Sequence, residues 1–228
     1  EERLYEIALW AALAIGLVPT LAPPVLQLAV SGFADYSVAL LVGSLLGVLA
    51  LLAAPMTLLG TVSPFVIGLR VRRVEGPGRA AGSIYALSTV GSLLGTFLPV
   101  LLLIPNVGTR WTFWIIALTL WQVAWLGLLR TGLRRVWAYL AVPLVILALA
   151  LTGQSRPIKP DEALIYENES AYNYIQVLQR GDDTLLKLNE GQGVHSVYNP
   201  HQPLTEAIFD YFLLAPFFNP PPYRAQQV

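Results

Sequence analysis

Cysteine is absent from the 228 residues. That excludes disulfides, thiolate metal sites and cysteine nucleophiles. Charge is scarce as well: 12% of the residues are Asp, Glu, Lys or Arg, against about 25% in a soluble domain. With 55% hydrophobic residues and a mean hydropathy of +0.60, the deficit points to a chain that lives in a membrane. The net charge is zero, so no basic excess is present to hold nucleic acid. No Ser-His-Asp order, Walker loop or zinc-ligand spacing occurs in the sequence. The first residues, EERLYEIALW, carry neither a Met nor the basic stretch of a secretion signal, so the expectation is a segment of a longer chain.

What charge there is falls unevenly. Residues 1–153 hold nine Arg and five acidic residues, and residues 154–228 hold five basic and nine acidic ones. The shift from +4 to −4 coincides with the drop in hydropathy and sets a boundary near Gly153. Before it lie five runs without a charged residue, roughly Ile7–Val30, Ser37–Leu59, Ala80–Ile104, Trp111–Leu129 and Val136–Thr152. A bilayer-crossing helix needs about 17–25 apolar residues, so residues 1–153 read as an α-helical polytopic membrane domain of about five spans. Val136–Thr152 is the shortest run and contains Pro143, while the first run contains Pro19, Pro23 and Pro24, which bend or break a helix. Arg70, Arg72, Arg73 and Arg79 follow the second run, and Arg130, Arg134 and Arg135 follow the fourth. The excess of basic residues places those loops in the cytoplasm. If the fifth run crosses, the polar part lies outside. No ionisable group sits within a run, which argues against an ion-coupled transporter.

The pentapeptide GSLLG occurs twice, at 43–47 and 91–95. Its small-xxx-small spacing lets helix backbones approach closely, either within one chain or between two copies. Trp111, Trp114, Trp121, Trp125 and Trp137 gather around the fourth run, and those near its ends read as interfacial anchors.

Residues 154–228 read as a small β-meander module with one helix. Strands are expected at 163–166, 173–180, 184–189 and 195–198, with Gly181-Asp182-Asp183 as a tight hairpin connection. A helix is expected near 204–215, with Thr205 as its N-cap, Glu206 in its first turn, and Ile208, Tyr211, Phe212 and Ala215 on one face. About 75 residues make a marginal free-standing fold, so a partner domain or a second copy is expected.

Several stretches carry a resemblance. YNYIQV (172–177), LNEGQGVHS (188–196) and DYFLLAP (210–216) resemble the N-terminal β-domain of spermidine synthase-like proteins. PMTLLGTVSP (55–64), GSIYALSTVG (82–91) and LIPNVG (103–108) resemble the multi-span half of membrane-fused spermidine synthase homologues. The resemblance implies an aminopropyltransferase-type parent protein whose next element is a Rossmann-like domain. That domain would hold decarboxylated S-adenosylmethionine or a related adenosyl cosubstrate. It further implies that these 228 residues are inactive alone and bind no cofactor by themselves. By the same resemblance, Gln192 faces the adenosyl ligand, Asn173 stands where the soluble enzymes use a Gln, and His195 and Asp210 lie among the contacts. A neutral amide at such positions can donate and accept at once. Where the soluble enzymes carry a segment touching both substrates, this chain has Ile208-Phe209-Asp210-Tyr211, which retains only the acid. Each residue has a plain alternative: Gln192 completes a turn between glycines, His195 sits on a strand surface, and Asp210 is solvated. The implied partners are the lipid bilayer, the Rossmann-like domain, and a second copy held through the β-module or the GSLLG faces. The rival reading is a non-enzymatic membrane subunit that anchors, transports or docks a partner.

Overall fold

Proline positions and the need to satisfy every backbone group decide how the first unit bends. The computed structural model describes residues 1–31, 37–71, 77–132, 134–153, 157, 161–170, 172–189, 193–202, 204–205 and 208–218. The chain divides into two units, Glu1–Ile158 and Lys159–Val228. The first unit holds α1 (Glu2–Ser31), α2 (Ser37–Gly60), α3 (Val62–Val71), α4 (Pro77–Leu98), α5 (Ile104–Leu129) and α6 (Ala141–Gly153). A π-helical turn, Pro99–Leu103, joins α4 to α5, and a 3-10 helix, Arg134–Leu140, precedes α6.

Three helical stretches are long and apolar enough to cross a membrane: Glu2–Leu28, Leu41–Leu69 and Ala81–Leu129. Val136–Thr152 is a shorter apolar helix. The third stretch has 49 residues. As one straight α-helix it would extend about 73 Å, more than twice the ~30 Å of a hydrocarbon core. It is not straight. Gly108 has φ 79 and ψ 168, a conformation that side chains other than glycine's rarely tolerate. The expected third and fourth runs are therefore separate helices, parted at this residue. Side chains tie down the break: Asn106 Nδ2 donates to the Leu102 carbonyl at 2.6 Å, and Thr112 Oγ1 donates to the Gly108 carbonyl at 2.8 Å.

α1 is the centre of the unit. It packs along α2 and α5, and α6 lies against both α1 and α5. Leu9 clusters with Ala124, Leu128 and Val136, while Val142, Ile146 and Ala150 cluster with Trp114 and Ala117. A Cβ on Gly127 would overlap the Tyr5 ring, and one on Gly16 would fall 2.7 Å from Ile146 Cγ1. These pairings make α1 and α5 antiparallel and set α6 parallel to α1. The two GSLLG copies part company here. Gly43 and Gly47 are buried on α2, the helix that packs along α1, whereas a Cβ on Gly91 or Gly95 would meet open space. Gly16 and Gly127 also make close approaches in this bundle, and neither belongs to a repeated motif.

Three indoles donate to main-chain carbonyls of neighbouring elements. Trp114 Nε1 reaches Gly16 at 3.2 Å, Trp121 Nε1 reaches Tyr139 at 2.9 Å, and Trp125 Nε1 reaches Val136 at 3.2 Å. The Trp121 and Trp125 bonds join α5 to the 3-10 helix that precedes α6, and the Trp114 bond joins α5 to α1. Trp121 and Trp125 stack at 5.5 Å, and Trp137 meets Trp125 edge-on at 6.3 Å, fixing the 3-10 helix against α5. The tryptophans are thus packing and hydrogen-bonding residues as much as interfacial anchors.

The second unit contains β1 (Leu164–Glu169), β2 (Tyr174–Arg180), β3 (Asp183–Leu188) and β4 (Val194–Tyr198), followed by a 3-10 helix, Ile208–Phe218. The four strands form one antiparallel sheet in chain order, as the meander reading expects. Arg180 pairs with Asp183 across a two-residue loop, and Gly181 there has φ 63, as primed hairpin turns require. Gln176 and Leu178, which point to the same side of β2, are the buried residues of the sheet. The expected closing helix is present as a 3-10 helix over Ile208–Phe218, somewhat later than 204–215. Ile208, Tyr211 and Phe212 are all more than 70% exposed.

The indole bonds give a measurable expectation. Trp121→Phe removes the hydrogen bond to the Tyr139 carbonyl and should cost about 1–2 kcal/mol in unfolding titrations in detergent. An unchanged midpoint would show that the bond adds nothing to the packing of the ring.

Candidate functional site

The meander determines which sequence positions share an end of the sheet. β1 and β2 are joined by the turn Ser170–Asn173, and this turn is closed twice by the main chain of Asn173. Ser170 N donates to the Asn173 carbonyl at 2.8 Å, and Asn173 N donates to Ser170 Oγ at 2.9 Å. Ser170 Oγ in turn donates to the Asn173 carbonyl at 2.9 Å. Asn173 is half-buried. Its neighbour Tyr174 accepts from Asn189 N at 2.7 Å through its carbonyl. Asn189 has φ 59, a left-handed conformation that Asn adopts more readily than most residues. It opens the β3–β4 connection, so that connection lies at the same end as Asn173.

Gln192 belongs to this connection but falls outside the described residues. His195 comes just after it. The β3–β4 register passes from Lys187↔Val194 to Leu186↔Ser196, which makes His195 the extra residue of a bulge; bulges re-aim side chains. Its Nδ1 lies 3.1 Å from the Gly193 carbonyl and 3.4 Å from Leu188 N. One nitrogen cannot donate to the first and accept from the second at once. The shorter contact ties the imidazole to its own loop, and the side chain is exposed.

Asp210 has a structural role. Its Oδ1 accepts from Thr205 N at 2.8 Å and from Thr205 Oγ1 at 2.7 Å. Thr205 therefore does not act as the expected N-cap acceptor; it donates, and the acid downstream closes the turn. This half-buried carboxylate does not match the solvated alternative either. No described contact brings Asp210 to the end of the sheet that holds Asn173 and His195.

The sequence reading passed over the polar row that crosses the sheet. Glu167, Gln176 and Lys187 are in register on β1, β2 and β3, with Gln176 only 5% exposed. Strand alternation could have revealed it, since a Gln between Tyr174 and Leu178 sits on the side that the apolar pattern buries. Among the described residues no group of His, Cys, Asp and Glu could hold a metal ion. Comparison with known proteins finds no matching family model, no similar curated protein and no similar solved structure.

The Thr205–Asp210 pair can be tested directly. Asp210→Ala removes two charge-assisted hydrogen bonds and should cost about 1–2 kcal/mol of local stability. Hydrogen exchange should then speed up at the Thr205 amide while the β2 amides stay protected. Unchanged exchange at Thr205 would return Asp210 to a role outside the fold.

Proposed function

We propose that this chain belongs to a multi-pass membrane protein of the spermidine synthase-like class, in which the β-module supplies one wall of an adenosyl-ligand site. The observation that supports the proposal is topological: Asn173, Asn189 and Gly193, the last two flanking residues 190–192, share one end of the four-stranded meander. Two neutral amides, Asn173 and the Gln192 that the resemblance implies beside it, would suit a ligand with donors and acceptors close together. The transfer itself, attack of an amine on the carbon next to a sulfonium, would be completed by a Rossmann-like domain. The β-module's part is to align the ligand and exclude water. In the full-length gene product, Gln192→Ala should weaken binding of decarboxylated S-adenosylmethionine by about 1–3 kcal/mol, read by calorimetry. Unchanged affinity would leave Gln192 as a turn residue and remove the main support for this site.

A second reading, a non-enzymatic membrane subunit whose β-module docks a partner, is favoured by the course of α6. Val136–Thr152 is short, but its first residues are 3-10, which rises about 2.0 Å per residue instead of 1.5 Å. The segment therefore reaches about 28 Å, close to the ~30 Å core. It is also packed along its length, with Val136, Ile146 and Ala150 all buried. A crossing α6 carries the chain to the side opposite Arg130, Arg134 and Arg135, which the positive-inside rule makes extracytoplasmic. An adenosyl donor is a cytoplasmic compound, so sidedness separates the readings. Cysteine placed at exposed Asp182 (Asp182→Cys) reports it, because the sequence has no other cysteine. Labelling of intact cells by a membrane-impermeant thiol reagent is the outcome expected of the docking subunit. Labelling only after lysis is the outcome expected of the transferase.

A further inference from the structure

One short motif in the sheet unit has no part in the readings above. Asn168 is followed by Glu169 and Ser170, and no other asparagine of the chain has Ser or Thr two residues on. Asn-x-Ser, with x other than proline, is the acceptor motif for an N-linked glycan. A motif of three residues arises readily by chance, so its setting in the fold decides what it can do.

Asn168 lies on β1, an edge strand of the sheet, and its side chain is exposed. Its hydrogen bonds stay within the strand: Nδ2 donates to the Tyr166 hydroxyl at 3.1 Å, and Oδ1 accepts from Glu169 N at 2.8 Å. Asn168 is paired with Ile175, whereas the buried Gln176 is paired with Glu167. Strand alternation therefore puts Asn168 on the face opposite Gln176 and Leu178, and a bulky group on it displaces neither. Tyr166, two residues earlier, is on the same side of the strand as Asn168 and is 51% exposed. An exposed phenol ring beside the acceptor amide offers an apolar face to the C–H side of a sugar and leaves the sugar hydroxyls in water. Ser170 sets the order of events. Its Oγ donates to the Asn173 carbonyl and accepts from Asn173 N, both at 2.9 Å. The folded β1–β2 turn thus occupies the hydroxyl that the motif requires, so transfer precedes closure of the turn.

We propose that Asn168 carries an N-linked glycan whose first sugar packs on Tyr166. The donor class is an oligosaccharide on a polyprenyl diphosphate. Asn168 Nδ2 bonds to the anomeric carbon, the bond from that carbon to the diphosphate oxygen breaks, one amide proton goes to a base, and the polyprenyl diphosphate leaves. The proposal rests on the extracytoplasmic placement of the β-module that a crossing α6 gives.

The test is expression of the full-length gene product in cultured eukaryotic cells. A slower-migrating band that peptide N-glycosidase collapses is expected in wild type and in Ser170→Thr, and its loss is expected in Asn168→Gln and Ser170→Ala. The Asp182→Cys variant, labelled in the same cells by the impermeant thiol reagent, separates the two ways to fail. Labelling of intact cells with no glycosidase-sensitive band would overturn the proposal and leave the placement standing. Labelling only after lysis would overturn the placement, and the proposal with it. A slower band that survives in Asn168→Gln would also overturn it. For the sugar–ring contact, the glycosylated protein should unfold at a higher temperature than Asn168→Gln, and that difference should vanish when both carry Tyr166→Ala. An equal difference in the two backgrounds would overturn the contact with Tyr166.

Discussion

The helical unit depends on hydrogen bonds that run from indole N–H groups to main-chain carbonyls of neighbouring elements. Trp121 and Trp125 of α5 donate to Tyr139 and Val136 of the 3-10 helix, and Trp114, also of α5, donates to Gly16 of α1. Each bond also joins two elements, since indole and carbonyl come from different helices. Helix packing in lipid gains little from hydrophobic transfer, so such directional bonds set the register that van der Waals contact then fills. The stacked Trp121 and Trp125 rings add shape to that register.

Three of the four strands were legible in the sequence to within about a residue at each end, because alternation and a Gly-Asp hairpin are local properties; β1 runs on to Glu169, three residues past its expected end. The helices were legible as apolar runs, because charge avoidance is equally local. What could not be read was set by contacts between distant residues. The division of the 49-residue stretch was legible, since the runs Ala80–Ile104 and Trp111–Leu129 part around Gly108, but the left-handed φ of that glycine was not. GSLLG looked alike in both copies, yet the glycines of one are buried on α2 and those of the other face open space. Close approaches at the isolated Gly16 and Gly127 had no motif to announce them. At the candidate site, the placing of Asn173 and the β3–β4 connection at one end follows from strand order, so it could be anticipated. The bulge at His195 and the capture of Asp210 by Thr205 could not, since each depends on register or loop geometry that no spacing encodes.

The two units reflect two ways of meeting one requirement. In the helical unit, backbone polarity is satisfied within each helix and by borrowed side-chain donors. In the sheet unit it is satisfied across strands, with bulges at Ile165 of β1 and His195 of β4, the two edge strands. Bulged edges resist unwanted strand addition, and the exposed apolar residues of the unit include Ile208, Phe212 and Phe217 of the final 3-10 helix.

The stacked Trp121 and Trp125 rings, with Trp137 edge-on to the second, also have a spectroscopic consequence. Indoles this close couple their electronic transitions, so the near-ultraviolet circular dichroism of the chain reports on the seam between α5 and the 3-10 helix. Loss of that seam would change the spectrum even where the helical content stayed the same.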